Sequence, residues 1–132
     1  MLHFLLVDNA AAVRQTLAAQ LAIVCGKSID VRHAESGAEA FAAVAQAKPD
    51  VVLIGMGLAN EERGSPVAIR LLDENPELAI IVCTSMPATH RDVTDALSAG
   101  AVAYLAKPTR ADTVRKALEG VPKISGNLHR IR

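Results

Sequence analysis

The sequence carries no net charge, because 14 Lys and Arg balance 14 Asp and Glu. That balance removes the electrostatic case for wrapping nucleic acid or coating an anionic membrane. No apolar run approaches the roughly 18 residues of a membrane span. There is no Asn-x-Ser/Thr sequon. The opening stretch MLHFLLVDNAAAV has no basic leader, and Asp8 interrupts it early. It therefore reads as a first strand and not as a secretory signal. Cysteine is scarce: Cys25 and Cys83 make no disulfide scaffold and read as small buried hydrophobes in a reducing cytoplasm. Repeats, low-complexity tracts and blocks of like charge are missing as well. What remains is a chain of 132 residues, 51% apolar and 21% charged, the composition of one globular domain with a sizeable core.

Within that composition, short apolar runs alternate with helical periodicity. LHFLLV reads as a strand buried on both faces. Val13, Leu17, Leu21 and Val24 recur at helical spacing, and Gly26 supplies a C-cap. SIDVRHA is half-polar, which suits an edge strand. Ser36 with Glu39 three residues on is a capping box for the next helix. DVVLIG, after Pro49, is the most apolar strand and so the central one. A polar loop, MGLANEERGSP, leads to a third helix with Pro66 in its first turn. LAIIVCT and AVAYLAKP are the fourth and fifth strands, followed by helices ending near Gly100 and Glu119. Strands joined through helices lie parallel with right-handed crossovers. The expected fold is α/β, a doubly wound five-stranded parallel sheet of order 2-1-3-4-5 between two helical layers.

Ligands of such sheets bind beyond the carboxyl ends of the strands, at the switch point between strands one and three. Asp8-Asn9, Gly55, Thr84-Ser85 and Lys107-Pro108 end strands one, three, four and five. An acid, a hydroxyl and an ammonium converge there around a glycine. LLVDN, PDVVLI, IVCTS and GAVAYLAKP, with the spacing between them, resemble the receiver domain of bacterial two-component response regulators, the CheY-like family with a flavodoxin-like fold. The likeness runs over about residues 2 to 120. It implies a role for each matching position. Asp8 matches an acid that helps bind Mg²⁺, and Asn9 stands where a second such acid is usual. Gly55 stands where the family has its phosphate-accepting aspartate. Gly57 would offer a backbone carbonyl to the metal, and Thr84 the hydroxyl that swings toward the phosphoryl group. Lys107 is the partner of the acceptor, Pro108 follows a cis bond, and Tyr104 is the aromatic whose rotamer reports activation.

The departures set the functional expectation. Phosphotransfer from a histidine kinase needs a carboxylate nucleophile, and Gly55 has no side chain. With Asn9 in place of the second acid, Asp8 alone is a poor Mg²⁺ shell, and Glu61 and Glu62 read as mobile loop acids. No cofactor is expected, with Mg²⁺ weak or absent. Lys107 is expected to pair with Asp8, either as a structural bridge or, with Thr84 and nearby helix N-termini, as part of an anion site in the space glycine leaves. The chain thus reads as an atypical, non-enzymatic cytoplasmic receiver acting through protein partners. The alternative is a small-anion or nucleotide sensor. A flavin carrier or enzyme is disfavoured because DNAAAVR lacks a phosphate cradle and no nucleophile–base pair stands at the strand ends. Asp92 and Asp95 on helix four, with Arg110, Arg115 and Lys116 on helix five, suggest a self-complementary dimer or partner face made with strand five. His3, His33, His90 and His129 have no metal-binding spacing. Residues 1–121 form the expected domain. Residues 122–132 read best as a disordered tail, with a linker cut short of an output domain or a short arm touching a partner as alternatives, and Pro122 and Gly126 oppose a continued helix.

Overall fold

The computed structural model describes residues 1–125 and Leu128. Five parallel strands, β1 (Leu2–Val7), β2 (Ile29–Ala34), β3 (Val51–Ile54), β4 (Ala79–Thr84) and β5 (Ala103–Ala106), form one sheet in the order β2-β1-β3-β4-β5. Helices α1 (Ala11–Cys25), α2 (Gly37–Gln46), α3 (Gly64–Glu74), α4 (Arg91–Ala99) and α5 (Ala111–Glu119) connect the strands or follow the last one. The expected fold and strand order hold. The reason is visible in the strands themselves: every residue of β3 is buried and it lies in the middle, whereas β2 is half-buried and lies at an edge.

Period-two alternation splits the core in two. Phe4, Leu6, Val51 and Leu53 pack with Leu17, Leu21, Val114 and Leu118 on the α1/α5 side. Leu5, Val7, Val52 and Ile54 pack with Val44, Val67, Leu71 and Val93 on the α2/α3/α4 side. Each fully buried aliphatic side chain contributes about 1.5–3 kcal/mol, so the two layers fix which face of each helix turns inward. Among the described residues no helix is long and apolar enough to cross a membrane.

Local signals behave as their chemistry requires. Gly26 takes φ 85° at the end of α1 and Gly100 takes φ 123° at the end of α4, where an L side chain would be strained. Ser36 Oγ accepts from Glu39 N–H at 3.2 Å, but Glu39 reaches back to Glu35 N–H, one residue beyond the expected position. Past Gly120 the structure describes residues 121–125 and Leu128. Pro122 does not continue α5; it starts a new helical turn, α6 (Pro122–Ser125), and Val121 and Ile124 are buried against the α1/α5 core. His129, Arg130 and Arg132 lie outside the described residues.

Candidate functional site

The carboxyl ends of β1, β3, β4 and β5 meet where the switch-point rule places them. Backbone bonds hold these ends in register beyond the strands: Gly55 N–H donates to Val7 C=O at 2.8 Å, and Lys107 N–H to Thr84 C=O at 3.0 Å. Asp8 is the buried carboxylate of the cluster, 3% exposed. Its Oδ2 accepts from Lys107 Nζ at 2.7 Å and its Oδ1 from Ala10 N–H at 2.9 Å. Arg14, one turn into α1, donates to the Asp8 carbonyl and at 3.2 Å to His33 Nδ1 on β2. Removing two charges from water is costly, and this geometry offsets the cost with an ion pair plus a backbone donor.

Gly55 is integral to that arrangement. A Cβ on Gly55 would stand 2.4 Å from Asp8 Oδ2 and 3.2 Å from Asp8 Cγ. The Asp8 carboxylate thus occupies the space in which a side chain at position 55 would begin. The expected Asp8–Lys107 pair is formed. The expected room for an anion is not left open, because the carboxylate that pairs with Lys107 fills it. Gly64 is required for a different reason: a Cβ there would lie 1.9 Å from the Gly55 carbonyl oxygen, so the start of α3 can close on the end of β3 only as glycine.

The hydroxyl and the aromatic act on the backbone of one residue, Met86. Thr84 Oγ1 accepts from Met86 N–H at 3.1 Å, and Tyr104 Oη donates to Met86 C=O at 2.6 Å. Thr84 is buried, and Tyr104 packs with Met86, Leu97 and Ala101 against the α4 side of the core. The structure thereby brings Asp8, Gly55 and Lys107 into contact, and links Thr84 to Tyr104 through Met86. Asn9 is exposed at the rim. Gly57 is exposed in the β3–α3 loop, bridged to Arg63. Lys107–Pro108 is a cis peptide bond, as the family likeness implies. Beside it, a cavity of about 420 Å³ opens between α1 and the β5–α5 turn, lined by Ala12, Val13, Thr16, Ser85, Lys107, Pro108 and Thr109.

In the β3–α3 loop Glu62 departs from the reading as a mobile acid, whereas Glu61 is exposed. Glu62 is half-buried and its Oε1 accepts from Gly37 N–H at 2.6 Å, at the first turn of α2. Its charge therefore faces the positive end of that helix and not the crevice. Arg63, which no sequence pattern singles out, reaches Asp92 at 2.5 Å in the first turn of α4. The hydrogen bond and charge of Asp92 raise Arg63 above the ordinary guanidinium range.

The charged residues of the last helices divide accordingly. Asp92 is 8% exposed and bound to Arg63, so it does not belong to a solvent-facing dimer surface. Arg115 pairs with Glu119 at 3.3 Å, and burial raises Cys25 on α1 while the nearby Arg115 charge offsets part of that rise, which places Arg115 on the α1 side. Asp95 and Arg91 form an exposed pair at 3.8 Å on α4, and Arg110, the N-cap of α5, pairs with Asp112 at 2.9 Å. Lys116 lines a shallow groove with Tyr104, Ala106 and Ala117 on the β5–α5 surface. Burial pushes Cys83 up to about 11, and Cys25 is also raised by burial, so both remain protonated thiols at neutral pH. Among the described residues no three His, Cys, Asp or Glu side chains cluster in a way that could hold a metal ion.

A family model described as the response regulator receiver domain matches residues 4–119. The chemotaxis protein CheY of Listeria monocytogenes is 32% identical over 124 residues, covering 93% of this chain and 100% of that protein. The positive alginate biosynthesis regulatory protein of Pseudomonas aeruginosa is 30% identical over 118 residues, 89% of this chain and 46% of that protein, so the chain spans about half of that relative. Among solved structures, the signal receiver domain of a modulated diguanylate cyclase from Desulfovibrio desulfuricans G20 superposes with TM-score 0.76 at 27% identity, covering 94% of this chain and 95% of that one. Chemotaxis protein CheY4 of Vibrio cholerae superposes with TM-score 0.78 at 23% identity, over 92% and 98% of the two chains, a likeness of fold. A match over residues 4–119, carried on a sheet of the order observed, places this chain in the response regulator receiver domain family.

Proposed function

We propose that this receiver domain signals by protein–protein contact and carries no phosphoryl group at position 55. The observation that supports this most directly is the Asp8 carboxylate lying 2.4 Å from where a Cβ of residue 55 would stand, with Lys107 Nζ bonded to it. By the family likeness, Gly55 occupies the acceptor position. A glycine offers no nucleophile, and the lysine that would pair with an acceptor carboxylate pairs with Asp8. Mg²⁺ has little to bind: it prefers several oxygen ligands including carboxylates, Asp8 is engaged by Lys107 and Ala10 N–H, and Glu62 is directed to α2. The domain on this reading is a signalling module in two-component-type transduction and not an enzyme. The surface offered to a partner, or to a second copy, is made by α4, β5 and α5, with Asp95, Arg110 and Lys116 as its exposed charges. Opposite charges on such a face set register more than they add affinity.

Incubation with acetyl phosphate and Mg²⁺, followed by intact-mass measurement, tests the reading. The mass is expected to stay unchanged. A gain of one phosphoryl group that hydroxylamine removes would overturn it. The face is tested separately by solution size: Asp95→Arg is expected to weaken self-association or partner capture, and an unchanged assembly would assign the contact elsewhere.

A further inference from the structure

We propose that Arg63 is a latch that holds α4 in place, so that α4 follows the β3–α3 loop. The inference stands independently of any chemistry at position 55. α4 is nine residues long, and its fully buried apolar side chains are Val93 and Ala96, whereas α3 buries Val67, Ala68, Leu71 and Leu72. The segment before it is solvent-facing: Ser85, Pro87, Ala88, Thr89 and His90 are exposed. Elements with few buried apolar contacts are the ones that open locally. Against this, Asp92 in the first turn is a buried carboxylate, its side chain 12% exposed, and its partner Arg63 comes from outside the helix and its own connecting loop.

The loop that delivers Arg63 is itself fixed in a costly conformation. Asn60 and Glu61 both take positive φ, 59° and 61°, in the left-handed region that L side chains avoid. Strain of this kind persists only where surroundings impose it. Here Leu58 is buried in the core, Leu58 N–H donates to Glu62 C=O at 2.8 Å, and Ala59 N–H donates to Glu35 C=O at 2.8 Å. The turn sends two neighbouring side chains to different helices, Glu62 to the first N–H of α2 and Arg63 to the first turn of α4. At the other end of the β4–α4 connection the Met86 N–H and C=O are held by Thr84 and Tyr104. The connection is thus pinned at both ends, at one by the end of β4 and β5, at the other by Arg63 on the Asp92 carboxylate, beside the 3.1 Å bond from Asp92 N–H to the capping His90 Nδ1. Arg63 is 61% exposed, so the latch is reachable from solvent through the arginine and not through Asp92.

Hydrogen exchange on the full chain, resolved by element, tests this with Arg63→Ala, Arg63→Lys and Asp92→Asn, and with Lys48→Ala as a surface-pair control. Arg63→Ala and Asp92→Asn are expected to speed exchange in residues 85–99 by about tenfold, with β1, β3 and α5 unchanged. Arg63→Lys, which keeps the charge but loses the planar fork, is expected to fall between them and the wild type. Unchanged exchange in α4 would overturn the proposal. Equal acceleration of every element would overturn it too, because the bridge would then contribute to global stability without setting the position of α4. The readout needs no phosphoryl donor, so its failure is distinct from failure of the signalling reading.

Discussion

Gly55 and Asp8 share one volume, and each constrains the other. Alanine at position 55 would bring its Cβ within 2.4 Å of Asp8 Oδ2, and the carboxylate would have to leave its bond to Lys107. Overpacking of this kind costs about 1–3 kcal/mol. Gly55→Ala is therefore expected to lower the urea midpoint with the slope unchanged. A midpoint equal to wild type would mean that Asp8 moves aside without loss. His33 supplies a pH dependence. Burial first, and then the Arg14 charge, lower it from the ordinary value of 6.5. Folding thus favours neutral imidazole, and the unfolded chain takes up a proton first. The stability contributed is complete above about pH 6.5 and is lost as the pH falls below it toward the lower folded value. A ring-proton titration should find His33 below 6.5, and Arg14→Gln should move it upward. An unmoved titration in that variant would remove Arg14 as a cause.

At the scale of elements, the start of α2 is built from two separate parts of the chain. Ser36 satisfies the Glu39 N–H, and Glu62 from the β3–α3 loop satisfies the Gly37 N–H. Position 37 is glycine for the same reason, since a Cβ there would meet Glu62 Oε2 at 2.5 Å and Val67 Cγ2 at 2.8 Å. A carboxylate at a helix N-terminus that also bonds a backbone donor contributes about 1 kcal/mol. Glu62→Ala is expected to lose about that much in denaturant unfolding, and Glu62→Gln, which keeps an acceptor, about half. Equal stability in all three proteins would show that water replaces the carboxylate at no cost. The same loop carries Arg63 to α4, so its anchoring on α2 and its hold on α4 are consequences of one strained turn.

Across the whole molecule, the Asp8–Lys107 pair closes the carboxyl edge of the sheet between β1 and the end of β5, 99 residues apart in sequence. Asp8 is 4% exposed as a side chain and Lys107 is 25% exposed. Removing the ammonium leaves a buried carboxylate without its cation, a loss of about 3 kcal/mol. Lys107→Met is expected to be destabilised to that extent. The double variant with Asp8→Asn is expected to recover part of the loss, because the uncompensated charge is gone. A double variant less stable than Lys107→Met alone would show that Asp8 contributes chiefly through its bond to Ala10 N–H.

Periodicity and strand composition by themselves determined the layers and the residues at the carboxyl edge, and the doubly wound rule added the strand order with which they agree. Burial on both faces selects LHFLLV and DVVLI as inner strands, and half-polar SIDVRHA can only be an edge. The pairing of Asp8 with Lys107 was legible too, since an acid and an ammonium left at adjacent strand ends have each other as nearest opposite charge. Only the tertiary structure decided where the flexible and loop-borne charges went. Asp92 looked like a surface acid on helix four, yet it is buried against Arg63, 29 residues away. Glu62 looked mobile, yet it caps α2. Long side chains on turns have many reachable partners, and the choice among them depends on backbone angles such as those of Asn60 and Glu61, which local composition does not specify.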